Sequence, residues 1–197
     1  MRALFLFAIL LILAAATWLV VAHADDIYCR MLLNKAVYQH TSEKHEAAIA
    51  QALAVLERRP DYMPALERAV EWLTERNAFR RALDLAADIP STSALSAATR
   101  YRLGISAYEL GREDDAGGFF HSVSTTATQP REYPAALVGS YLALAAGDSE
   151  ASLLALERAN SHFEGQMFYH SLLGRNSYAR DDIVRSTAEL GRALALG

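Results

Sequence analysis

The chain has 197 residues, 52% of them hydrophobic, and a formal charge of −4 from 19 Lys and Arg against 23 Asp and Glu. That length holds one domain with appendages, and the charge excludes the broad basic field that nucleic acid binding needs. Ala, Leu, Glu and Arg dominate while Pro (5) and Gly (10) are sparse, a composition that favours helix throughout.

Residues 3–22, ALFLFAILLILAAATWLVVA, carry no charge. Twenty helical residues rise about 30 Å, the thickness of a bilayer's hydrocarbon core. Arg2 precedes the run, Asp25 and Asp26 follow it, and no further Lys or Arg comes before Arg30. The basic end is therefore expected in the cytoplasm, with the rest of the chain exported. In a diderm bacterium this gives an inner-membrane protein with one span and a periplasmic domain. Two readings stay open: an uncleaved signal anchor over 1–24, or a signal peptide cleaved after Ala24, since Ala22-His23-Ala24 has the small-x-small pattern. The single cysteine, Cys29, has no internal partner, which leaves it packed near a helix start or bridging to another chain.

From residue 27 onward small residues recur. Gly104, Gly139 and Gly174 lie 35 apart, each after an apolar residue. Ala48, Ala82, Ala116, Ala151 and Ser186 follow each other at 34 or 35, and four residues beyond them stand Ala52, Ala86, Phe120, Ala155 and Leu190. Such a period describes stacked helical hairpins, in which small side chains let two backbones approach and larger ones fill the space beside them. The expected fold is all-α: about five hairpins over 27–197, preceded by one hydrophobic helix. Their helices are expected at 27–40 and 42–58 (capped by Thr41 or Ser42), 63–75 and 79–87, 96–110 and 113–124, 135–146 and 149–161, and 166–179 and 182–196, with breaks at IPSTS (89–93) and TATQPREYP (126–134).

The third unit, with Leu103-Gly104 and Ala116-x3-Phe120, resembles the tetratricopeptide repeat, whose pattern runs W-x2-L-G-x2-Y, A-x3-F, P. Gly111 falls at the turn between helices and Pro60 at the family's proline position, whereas Arg100, Ala107 and Val70 depart from the pattern. The resemblance implies a right-handed superhelical solenoid whose first helices line a concave groove. By that spacing the groove presents Glu67, Glu71 and Glu75, then Tyr101, Ile105 and Tyr108, then Tyr133, Ala136, Ser140 and Ala143, then Phe168, Ser171, Arg175 and Tyr178. An acidic end with an aromatic middle suits an extended or helical peptide. The alternative is that the glutamates only solvate a face and the tyrosines cap hydrophobic packing. A clamp for a partner's C-terminal carboxylates is excluded, because Glu67 and Glu71 occupy the matching places and would repel them.

No polar capping helix follows the last hairpin, so Ile183, Leu190 and Leu194 are expected to form an open apolar edge for a partner subunit or a second copy. Nothing points to chemistry. The six histidines lack metal-site spacing, no nucleophile, phosphate-loop or dinucleotide motif is present, and no catalytic residue, cofactor or metal is expected. The sequence thus describes a non-catalytic, membrane-anchored scaffold binding an unidentified protein partner for envelope or membrane-complex assembly. The alternatives are an accessory subunit held mainly through its transmembrane helix, with Ala14-Ala15-Ala16 as contact, or a soluble secreted binding module.

Overall fold

A computed structural model describes residues 2–87, 95–126, 135–163 and 167–196, with side chains in the first helix at 17–18 and from 23 onward. Ten helices and no strand are found among the described residues. They are α1 (Arg2–Thr41), α2 (His45–Arg58), α3 (Met63–Glu75), α4 (Phe79–Ala87), α5 (Ala97–Glu109), α6 (Glu113–Thr126), α7 (Ala135–Ala145), α8 (Ser149–Phe163), α9 (Met167–Ala179) and α10 (Ile183–Leu196). The expected breaks at 89–93 and 127–134 lie outside the described residues. The apolar run and the first helix of the first hairpin form one element, α1, which at 40 residues rises about 60 Å. The chain divides into two compact units, Met1–Ala69 and Val70–Gly197, and α3 runs through the boundary.

Five turns carry the repeat. The left-handed residues Glu43 (φ 61°), Asn77 (55°), Gly111 (71°), Gly147 (81°) and Asp181 (58°) occupy the same place in successive hairpins, in steps of 34, 34, 36 and 34. After each, the next N–H donates back to a carbonyl five residues earlier: Lys44 to Gln39 at 2.9 Å, Ala78 to Leu73 at 2.8 Å, Arg112 to Ala107 at 2.9 Å, Asp148 to Ala143 at 2.9 Å and Asp182 to Ser177 at 2.9 Å. This is the Schellman closure, which satisfies the last carbonyls of a helix and reverses the chain. Glycine holds two of these positions; glutamate, asparagine and aspartate hold the others at a steric cost. Glu43→Gly is therefore expected to stabilise the first hairpin by about 1 kcal/mol, read as a raised thermal midpoint by circular dichroism.

The turns correct the register of the fourth hairpin. Seven residues before each left-handed residue stands the position where the two helices meet: Ala36, Val70, Gly104, Ser140 and Gly174, all buried. Across from them lie Ala48, Ala82, Ala116, Ser152 and Ser186, also buried. The sequence frame chose Gly139 with Ala151, but both are exposed, and a Cβ built on Gly139 meets nothing within 4 Å. Ser140 and Ser152 take their places, with their hydroxyls 2.9 Å apart in the core. The step into this hairpin is 36 residues rather than 34, so matching glycine to glycine lands one position early. Where glycine does sit at the meeting point it is required: a Cβ on Gly104 would lie 2.6 Å from the Phe120 ring, and one on Gly174 would lie 2.7 Å from Leu190 Cγ.

Thr41 and Ser42 do not cap α2. Both hydroxyls donate back to the Tyr38 carbonyl, at 2.9 and 2.8 Å, and so finish α1 instead. The capping position of α2 is Lys44, whose side chain makes no cap bond. Aspartates do cap two later helices: Asp148 Oδ1 accepts from the Ala151 N–H at 2.9 Å and Asp182 Oδ1 from the Arg185 N–H at 3.1 Å. In the second unit successive hairpins stack, α4 on α5, α6 on α7 and α8 on α9.

Candidate functional site

The face expected to bind a partner is built from α5, α7 and α9 in the second unit, and its middle is filled by its own rings. Phe120 of α6 is fully buried. Its ring centroid lies 4.7 Å from that of Tyr141, 5.5 Å from Phe168 and 6.0 Å from Tyr101. Tyr108 closes the cluster at 5.0 Å from Phe168 and 5.8 Å from Tyr141, both edge-on. These are the offset and T-shaped separations at which aromatic pairs attract beyond their area burial. The Tyr108 hydroxyl and the Ser171 hydroxyl are 2.9 Å apart. Helix α9 therefore reaches past the fourth hairpin to touch α5 of the third.

This arrangement corrects the expected groove. Tyr101, Tyr108 and Phe168 are buried at 7%, 7% and 3% exposure and pack on one another instead of lining an open channel. Ser140 faces Ser152 in the core, and Tyr141 stands on the inner face in its place, as the one-residue shift requires. Its hydroxyl donates to the Glu113 carbonyl oxygen at 3.1 Å. Burial first, and the Glu113 carboxylate next, push the Tyr141 phenol up. Burial likewise raises the Tyr101 phenol. Both rings stay neutral.

What remains open is the rim. Arg175 and Tyr178 of α9 are exposed, Tyr178 at 68%, and Ile105 is half-buried. Arg175 pairs with Glu113 at 2.8 Å and stands 5.3 Å over the Tyr108 ring. With Glu113, Tyr141, Leu144 and Ala145 it lines a shallow depression. Glu75 is exposed, while Glu71 is largely buried and accepts from Arg102 at 2.7 Å. That pair ties α3 to α5, so this glutamate is structural. Glu67 is half-buried on the part of α3 that belongs to the first unit, and Tyr133 lies outside the described residues. The apolar edge of α10 is open, with Ile183 at 53% and Leu194 at 84% exposure. Val184 is exposed as well, whereas Leu190, expected on the same edge, packs against Gly174.

One ionisable group was missed. Glu109, at the end of α5, is half-buried, and burial raises its carboxyl from 4.5 to about 7. The folded value lies above the unfolded one, so this group's share of stability is full below pH 4.5 and is lost as pH rises through 7. Glu109→Gln is expected to flatten that dependence. At pH 8 it should leave the chain more stable than the parent by about 1 kcal/mol, discounted for solvent contact, as compared by thermal melts at pH 5 and pH 8.

No family model matches the chain, and no curated protein matches it in sequence. Solved structures do match. A crystal structure of MamA protein aligns over 85% of this chain and 91% of its own, with a TM-score of 0.58 at 15% identity. The fold is TPR-like. MamA 41-end from Desulfovibrio magneticus RS-1 aligns over 85% of this chain and 94% of its own, at 14% identity and a TM-score of 0.55. A tetratricopeptide repeat protein from Parabacteroides merdae ATCC 43184 aligns over 86% of this chain and 65% of its own, at 17% identity and a TM-score of 0.50. At such identities the likeness is of fold. Among the described residues no group of His, Cys, Asp and Glu could hold a metal ion. Nor, among the described residues, is any helix long and apolar enough to cross a membrane; the side chains of the apolar run lie outside them apart from Thr17 and Trp18.

Proposed function

We propose that the chain is a non-catalytic scaffold for protein–protein interaction, held in the inner membrane by residues 3–22 with its hairpins in the periplasm. The observation that supports the binding role is the TPR-like stack itself, whose small-residue geometry serves packing and leaves side chains such as Arg175 and Tyr178 exposed on its rim. The filled middle of the inner face moves the contact to its rim, to Ile105, Arg175 and Tyr178. It also favours a second reading, an accessory subunit held through its apolar helix. Affinity purification of the full chain in mild detergent is expected to bring down a defined partner, and Arg175→Ala with Tyr178→Ala to weaken it at unchanged helix content. A partner kept by that variant but lost without residues 1–24 would favour the second reading. No stable partner for the full chain would sink both.

A further inference from the structure

The end of α2 is tied to α1 at the level where the apolar run stops. Asp25 accepts from Arg58 Nε at 3.1 Å and from its Nη2, and Asp26 accepts from Arg59 Nη1 at 3.0 Å. The Arg58 guanidinium stands 4.8 Å over the Tyr28 ring, and Arg59 stands 5.2 Å over Tyr62. All of these residues lie in the first unit, and α1 is continuous through the junction. The chain has no Gly or Pro before Pro60, the residues that most readily kink a helix.

We propose that the turn between α2 and α3, with Arg58, Arg59 and Tyr62, together with Tyr28 of α1, is a membrane-contact surface that rests on phospholipid headgroups. The inference depends on residues 3–22 spanning the bilayer. At 1.5 Å per residue, Asp25 and Asp26 then lie about 5–6 Å beyond the hydrocarbon edge, within a headgroup layer about 5–7 Å deep. Any group bonded to them lies in the same layer. The chemistry suits that layer. Arg58 neutralises Asp25, while Arg59 is shared between Asp26 at 3.0 Å and the exposed Asp61 at 3.8 Å, and Arg30 stands 3.8 Å from Asp26. Arg58, its side chain 52% exposed, keeps further N–H donors for lipid phosphates. Tyr28 and Tyr62 place a ring under each guanidinium, an amphipathic pairing of the type found in interfacial belts. Ile27, exposed at 54% and one residue beyond Asp26, adds apolar surface. The first hairpin consequently stands on the bilayer in a fixed orientation instead of swinging on a tether.

The test uses the full chain carrying Cys29→Ala, reconstituted into phosphatidylcholine–phosphatidylglycerol vesicles. A nitroxide is placed singly at Trp18→Cys, Asp61→Cys or Glu43→Cys, and its accessibility to oxygen and to a water-soluble nickel chelate is measured by power saturation. Position 18 is expected at lipid depth, position 61 at headgroup depth with nickel access several-fold below that of position 43, and position 43 in bulk water. Arg58→Ala with Arg59→Ala should raise nickel access at position 61 toward that of position 43. If position 18 is in lipid and position 61 is as wet as position 43, the surface is wrong and the anchor stands. If position 18 is wet, the anchor reading falls and the surface with it.

Discussion

Gly104→Ala is expected to destabilise the protein by about 2–3 kcal/mol, the upper part of the range for forcing atoms into a packed core. The added methyl would lie 2.6 to 2.9 Å from three atoms of the Phe120 ring. That ring is held by Tyr141, Phe168 and Tyr101 and has nowhere to go, so α5 and α6 must part. Gly139→Ala, a change of the same chemistry in a position the sequence placed in the same class, should do the opposite. Nothing stands within 4 Å of its new methyl, and alanine in place of glycine favours a helix by up to about 1 kcal/mol. Thermal melts of the full chain in detergent should show the first variant lower than the parent by about 5–10 °C and the second unchanged or higher. Equal losses in both would mean that the fourth hairpin is registered on Gly139 after all.

Phe120→Ala is expected to cost about 3–5 kcal/mol, the range for truncating a buried aromatic. The ring joins four helices: α6 that carries it, α5 through Tyr101, α7 through Tyr141 and α9 through Phe168. Its loss leaves a cavity that those three neighbours cannot all close. The same geometry predicts coupling. Phe120→Leu should relieve much of the penalty of Gly104→Ala, because at the equivalent place in the fourth hairpin the buried Leu156 stands opposite Ser140, a residue that carries a Cβ. The two changes together should therefore cost less than the sum of each alone. Additive losses would show that the methyl and the ring do not compete for one space. By the same reasoning Tyr101→Ala with Tyr108→Ala, substitutions that a groove-lining role would make harmless to folding, should lower the melting temperature.

The hairpin count and most helix limits were legible in sequence because each hairpin repeats one packing requirement in linear order. Met63–Glu75 and Phe79–Ala87 stand where apolar spacing places them, and Ala48, Ala82 and Ala116 are buried as the period demands. These features depend on neighbours within one hairpin, so a single chain records them at fixed spacing. The capping of α2 was misread because α1 runs on through Thr41 and α2 starts only at His45, so both hydroxyls sit at the end of α1 and donate to its Tyr38 carbonyl.

Sequence by itself determined an all-helical chain of small-residue hairpins behind an uncharged run of membrane length. Only the tertiary structure decided which small residue of Gly139 and Ser140 faces the partner helix, since adjacent positions differ by about 100° around a helix and only packing selects between them. It alone decided that Tyr101, Tyr108 and Phe168 are core. Their neighbours come from other hairpins, 63 residues away in the chain for Tyr108 and Ser171, and no local pattern records whether a concave face is left open or is filled by its own side chains.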